Sequence, residues 1–453
     1  MCGTSQTKVM KKKYIYTTLL IFVGFCLCTI FIKYKNNEST SYNLLERKGA
    51  IGDSREWQLT RTYASSLLQS LKKNPSDTKS SLALVAIFIQ EARVTGNYVY
   101  YDKAAMKYVN NVLRTDSTNF DALTFKALIY LSQHHFADGL AIAEKAKELN
   151  PYNAFIYGMV VDGNVEMGNY DSAVANSDRM VSIRPDLRSY SRISYLREIY
   201  GDYPGAIEAM KMALAAGAPG DEGTEWTRIQ LGHLYENTGD LISAKMHYTI
   251  ALNERPGYAY ALAGLGRIAL ASKDYPTAIS YYEKADAAVT DYTVKEELVE
   301  AYKLAGKMEK ADAVSHVVIE SMSKDAQSGR NDENIGHYAD RELAYAYLKI
   351  NNYDKALEHA LLEYNRRPEN IDVNETVAWV YYCKGQYEKA LPYLKVALKT
   401  NSKNPTLLCH AGLIYERVGE KTLAKDHLQA ALQSNPNIAE ELKRESTNVL
   451  QTR

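Results

Sequence analysis

The chain has 453 residues, with 54 Lys+Arg balanced by 54 Asp+Glu, and so carries no formal net charge. A chain without a basic excess is poorly suited to neutralising phosphates, which argues against wholesale nucleic-acid binding. Charged residues at 24% and hydrophobic ones at 46% exclude a disordered tail, and length alone suggests roughly three domains of ~150 residues.

One number stands apart, 36 Tyr against 8 Phe and 3 Trp. The five cysteines (Cys2, Cys26, Cys28, Cys383, Cys409) form no C-x-x-C pair and no Cys/His set with zinc spacing. A disulfide-built fold is thereby excluded. Cys383 and Cys409 fall near opposite ends of successive, roughly parallel helices, so thiols are expected rather than a bridge.

Residues 1–13 form a basic tail, and residues 14–32 (YIYTTLLIFVGFCLCTIFI) run nineteen positions without a charge. That approaches the ~20 residues a bilayer-crossing helix needs. An uncleaved single-span anchor is expected ahead of a cleaved signal, because no small-x-small site follows the apolar run. A lipoprotein is disfavoured by Phe25 before Cys26. Lys8, Lys11, Lys12 and Lys13 precede the span, so the positive-inside rule puts the N-terminus in the cytoplasm and the body beyond the membrane. Residues 33–53 are polar and read as a tether, and Trp57 to Leu71 as an entry helix.

From about residue 80 the chain repeats itself. Leu231-Gly232-x-x-Tyr235 is followed by Gly239, Ala244, Tyr248, Ala251 and Pro256, and Ala411-Gly412-x-x-Tyr415 by Gly419, Ala424, Leu428, Ala431 and Pro436. Unit starts fall near 120, 154, 187, 225, 259, 292, 337, 371 and 405, at a nearly constant interval. A degenerate unit over about 82 to 119 makes roughly ten. Each unit has two apolar runs at helical period split by a turn such as Gly168-Asn169 or Asn351-Asn352. Small residues (Ala127, Gly232, Gly266, Ala344, Ala378, Gly412) let a second helix approach, and Ala173, Ala206, Ala278, Ala311, Ala356 and Ala390 answer from that helix. Pro151, Pro185, Pro256, Pro368 and Pro436 end the second helices. One pair cannot bury its apolar face alone, so the units must stack. Seventeen of the 36 Tyr fall at the large positions of the repeat, making them a packing feature first.

Two insertions break the period, Gly217 to Gly223 and Ser323 to Gly336, and both are expected to be loops. Residues 54–436 form the stack, and residues 437–453 read as a polar capping helix.

The repeat resembles the tetratricopeptide repeat family over about four fifths of the chain. The fold this implies is all-α, a right-handed solenoid of nine to ten helix-turn-helix units behind the N-terminal span. The layout is also similar to bacterial membrane-anchored members of the family, which implies an inner-membrane protein with periplasmic repeats. In the family, first helices line a concave face where partner peptides bind. Carried onto matching positions, that face holds Tyr195, Trp226, His233, Glu236, Tyr260, Arg267, Arg341, Tyr345, Trp379, Tyr382 and Arg417. Asp162, Glu166, Arg188, Glu300 and Glu375 join them. The Lys/Asn/Arg set that clamps a terminal carboxylate in some members is unmatched.

No phosphate loop, nucleophile elbow or H-E-x-x-H motif is present, so no catalysis, cofactor or metal is expected. His134-His135 is expected to be a solvated turn and His410 a packing residue. The function implied is a membrane-tethered scaffold binding protein segments through aromatic and Arg anchors. The alternative is an envelope-glycan module in which the groove aromatics stack on sugar rings.

Overall fold

The computed structural model describes residues 16, 18, 19, 21–26, 29, 41–331 and 337–451. The chain divides into two units, Met1–Leu45 and Glu46–Arg453. In the first, the longest described helical run within the apolar segment is residues 21–26. Among the described residues no helix is long and apolar enough to cross a membrane. This corrects the expectation of a single-pass anchor and, with it, the inner-membrane and periplasmic placement, because a bilayer asks for a helix of ~20 apolar residues and none is found among the described ones. The other residues of 14–32 lie outside the described set.

The second unit is all-helical among the described residues. A 3₁₀ turn (Gly49–Gly52) leads into α1 (Arg55–Lys73). Pairs follow: α2/α3 (Thr78–Thr95, Tyr98–Thr115), α4/α5 (Phe120–Ser132, Phe136–Leu149), α6/α7 (Ala154–Glu166, Tyr170–Ile183), and α8/α9 (Leu187–Ile199, Tyr203–Ala215). Next are α10/α11 (Glu222–Asn237, Leu241–Glu254), α12/α13 (Ala259–Ala271, Tyr275–Ala288) and α14/α15 (Tyr292–Leu304, Met308–Asn331). The last are α16/α17 (Asp340–Lys349, Tyr353–Arg366), α18/α19 (Ile371–Cys383, Tyr387–Ala397) and α20/α21 (Pro405–Arg417, Lys421–Ser434), with α22 (Glu440–Gln451) against the final pair.

The small residues do what their spacing asks. Ala173, Ala206, Ala278, Ala311, Ala356 and Ala390 are all 0% exposed. The fully buried Tyr248 ring lies between Gly232 and Gly264, where an added Cβ would come within 2.3 and 2.7 Å of it. Asx side chains cap many helix starts, with Asn119, Asn153, Asn370 and Asn404 on first helices and Asp202, Asp240, Asp274 and Asn352 on second ones. Pro151, Pro185, Pro256, Pro368 and Pro436 each stand two residues beyond a helix end.

The turn inside every pair carries one residue in the left-handed region. Seven are Gly (Gly96, Gly168, Gly201, Gly239, Gly306, Gly385, Gly419), and the other three are His134, Lys273 and Asn351.

Two expectations need revision. The segment from Ser323 is not a loop: α15 carries it as helix to Asn331, because Met322 and Ala326 are buried against Ala339, Leu343 and Ala346. Residues 332–336 lie outside the described set. Residues 46–53 are packed rather than a free tether. Arg47 is buried and donates to both Glu91 oxygens at 2.9 and 2.6 Å, and Ile51 is buried as well.

Contacts between residues far apart in sequence recur along the stack. Thr290 N–H donates to Thr95 O at 2.9 Å, and Tyr338 N–H to Gln133 O at 3.1 Å. Asn370 Nδ2 donates to Glu166 O at 3.0 Å, and Ile371 N–H to the Tyr170 hydroxyl at 2.9 Å. Gly201 faces Asn401, and Gly239 faces Ser434 and Pro436. In each case the turn of one pair meets the connection preceding the unit six places on. The stack therefore completes one revolution in six pairs, and successive revolutions touch edge to edge.

Candidate partner-binding groove

First helices of neighbouring units lie side by side, so residues about one repeat apart become neighbours. Arg267 on α12 donates to Glu236 on α10 at 3.0 Å and to Glu297 on α14 at 2.9 Å. The same guanidinium meets His233 Nε2 at 2.5 Å, and Tyr248 donates its hydroxyl proton to Glu236 at 2.6 Å. Burial, followed by the Arg267 charge, holds the His233 imidazole well below its ordinary pKa. Burial pushes the Glu297 carboxyl up, against the opposing pull of Arg267. Beside this ladder Trp226 meets the Tyr260 ring edge-on at 5.0 Å and keeps 36% of its surface exposed.

A second cluster spans α16, α18 and α20. Arg341 Nε donates to Thr376 Oγ1 at 3.3 Å, and the guanidinium carbon lies 5.7 Å from the Tyr345 ring centre. Trp379 is stacked between Tyr382 at 4.7 Å and His410 at 3.7 Å, and His410 Nδ1 pairs with Glu375 at 2.9 Å. Tyr382 is buried, and its hydroxyl donates to Glu445 on α22. Arg417 packs over Tyr387.

Tyr195 on α8 is 40% exposed, yet burial and then the Asp372 and Glu166 carboxylates raise its hydroxyl pKa well above the ordinary value. Asp372 belongs to the next revolution, so its charge acts on Tyr195 from across the coil. Burial pushes Glu166 up to about 7, opposed by Arg367, with which it is paired.

The eleven sequence-derived positions thus fall into the α10/α12 set, the α16/α18/α20 set and isolated Tyr195. Several side chains are already committed to one another. Glu297 escaped the sequence reading, which chose Glu300 one turn away. The signal available was a shared spacing, since Asp162–Arg192 and Arg267–Glu297 are separated by the same number of positions. Cys383 and Cys409 are free thiols, and burial pushes Cys383 up to about 12.

His134 departs from expectation. It is no solvated turn residue: its ring packs on Phe136 at 5.0 Å and on His337 at 4.1 Å, and its Nδ1 lies 3.0 Å from Tyr338 O. His135 is 3% exposed. The next revolution covers both, which no local pattern announces.

Residues 229–292 and 405–438 match family models described as tetratricopeptide repeat. Superkiller protein 3 of Saccharomyces cerevisiae is 23% identical over 352 residues, 74% of this chain and 22% of that protein. The chain thus spans about a fifth of that relative's length. Among solved structures, a tetratricopeptide repeat protein from Parabacteroides merdae aligns at TM-score 0.42 and 17% identity, over 56% of this chain and 95% of that one. The human IFIT1 dimer with PPP-AAAA aligns at 0.47 and 15%, over 76% and 80%. Two segments of the chain thus match the tetratricopeptide repeat family, and both lie within the run of like helix pairs.

Proposed function

We propose that this chain is a non-catalytic interaction scaffold that holds a protein segment along its inner wall. The observation that supports this most directly is the α10/α12 surface. There an exposed Trp226 is braced by Tyr260 beside an Arg267 fixed by two carboxylates. Rigid aromatics next to oriented Arg are the side chains that anchor protein interfaces, because little conformational entropy is lost when they bind. The partner contacts proposed are Tyr195, Trp226, His233, Glu236, Tyr260 and Arg267, with Arg341, Tyr345, Trp379, Tyr382 and Arg417 further along.

A photo-crosslinking residue placed at Trp226 or Tyr195 tests this against one placed at Ile242, which is 85% exposed on the second helix α11. A discrete polypeptide adduct is expected from the first two positions and not from Ile242. Trp226→Ala with Tyr195→Ala should weaken binding of the captured partner at least tenfold. Retention of polysaccharide alone, lost in the same double variant, would instead establish the glycan module and sink the scaffold.

A further inference from the structure

We propose that His134, His337 and Glu342 form a binding site for a first-row divalent transition metal, taken here as Zn²⁺, that joins two revolutions of the coil. The three side chains come from the turn between α4 and α5 (His134) and, a full revolution later in the chain, from the connection before α16 (His337) and its first turn (Glu342). They offer ligand atoms lying within 4.8 Å of one another.

The hydrogen bonding presets one of them. His134 Nδ1 lies 3.0 Å from the Tyr338 carbonyl oxygen, which can only accept. The proton therefore sits on Nδ1, and Nε2 keeps its lone pair for a metal, in the carbonyl–imidazole arrangement that orients ligating histidines. Glu342 supplies an independent sign. One of its oxygens, Oε2, is buried without a hydrogen-bond partner. A buried carboxylate oxygen left unpaired is costly, and a cation would discharge it.

Zinc bonds of ~2.0–2.1 Å place tetrahedral ligand atoms roughly 3.3 Å apart, so the set must contract by up to about 1.5 Å. His337 sits in the connection before α16 rather than inside a helix, which leaves room for that movement. Nearby cations do not forbid the ion. Arg366 is paired with Asp340 and Glu363, and Arg367 with Glu363 and Glu166. Two imidazoles and one carboxylate suit zinc or its neighbours and not Mg²⁺ or Ca²⁺, which prefer oxygen ligands throughout.

The test uses the full chain, stripped with EDTA and dialysed. Calorimetric titration with ZnCl₂ should give one site per chain, and zinc should raise the melting temperature by a few degrees where MgCl₂ does not. His134→Asn keeps a residue that tolerates the left-handed turn, and Glu342→Gln keeps shape, so both should retain the helical circular dichroism of the parent. Each should weaken zinc binding tenfold or more. Absence of zinc binding by the parent, or parent-like affinity in both folded variants, would overturn the site. His337→Gln, in the non-helical connection, gives a third reading should either variant lose structure.

Discussion

His247 illustrates how one side chain sets a pH response. It lies on α11, stacked parallel to Tyr235 at 5.6 Å, 8% exposed, with its Nδ1 buried and unpaired. Burial, then the charges of Arg228 and Lys211, lower its pKa from 6.5 to about 4. The unfolded chain binds the proton more readily, so the neutral imidazole contributes stability that is present above pH 6.5 and lost as the pH falls towards 4. The contribution is at most about 3 kcal/mol. His247→Phe should therefore lose less melting temperature between pH 7 and pH 4.5 than the parent chain, and superimposable pH profiles would refute the assignment. The sequence offered no hint of this. A histidine on a second helix looks the same whether its ring faces water or the tyrosine of the preceding helix.

At the scale of the element, the pair is the unit, and its turn is the most constrained point. Each turn needs one left-handed residue, and Lys273 occupies such a position at φ 60°. Its ammonium reaches Glu440 at 3.2 Å, but both partners are largely exposed, so that ion pair adds little. Relief of the left-handed strain outweighs glycine's extra freedom in the unfolded chain, and Lys273→Gly should stabilise the protein by about 0.5 kcal/mol. A melting temperature at or below the parent's would contradict that balance. Elements were the level most legible in the sequence. Starts read at 120, 154, 187, 259, 292, 371 and 405 are the first residues of α4, α6, α8, α12, α14, α18 and α20. The two misplaced starts, at 225 and 337, both follow insertions: α10 begins at Glu222 and α16 at Asp340. Periodicity cannot place a boundary where the period itself is interrupted. The insertion before α16 looked like a loop because its polar composition hid Ala326, which lies four residues beyond Met322 on the same helical face.

Over the whole molecule the governing fact is the revolution of six pairs. Gly168 and Gly419 occupy equivalent turns, with φ 79° and 86°. A Cβ on Gly419 would meet nothing within 4 Å, whereas one on Gly168 would stand 2.3 Å from Glu369 O in the next revolution. Both Gly→Ala changes carry the left-handed penalty of roughly 1–2 kcal/mol. Gly168→Ala should cost a further 1–3 kcal/mol or so and, unlike Gly419→Ala, increase the radius of gyration seen by small-angle X-ray scattering. Equal costs and unchanged scattering would show that the revolutions do not bear on one another. None of this was legible in advance. The pairing of Arg367 with Glu166 depends on rotation summed over six units, and each unit's residues specify only its own small share. The inner wall suffered the same loss, since the Asp372 charge reaches Tyr195 only because the coil returns upon itself.

Repeat proteins ordinarily gain or lose units by duplication and deletion, because each unit answers only to its neighbours. Here a single extra pair between α6 and α18 would carry Glu166 past Arg367 and Asn370, and would set Gly168 against a different connection. Every later contact between revolutions would slip by the same step. A lineage with this architecture is thus restricted to changes at the two ends of the stack, or to the insertion of six pairs at once. The number of units per revolution becomes an inherited quantity, held constant by side chains that meet only after the chain has come full circle.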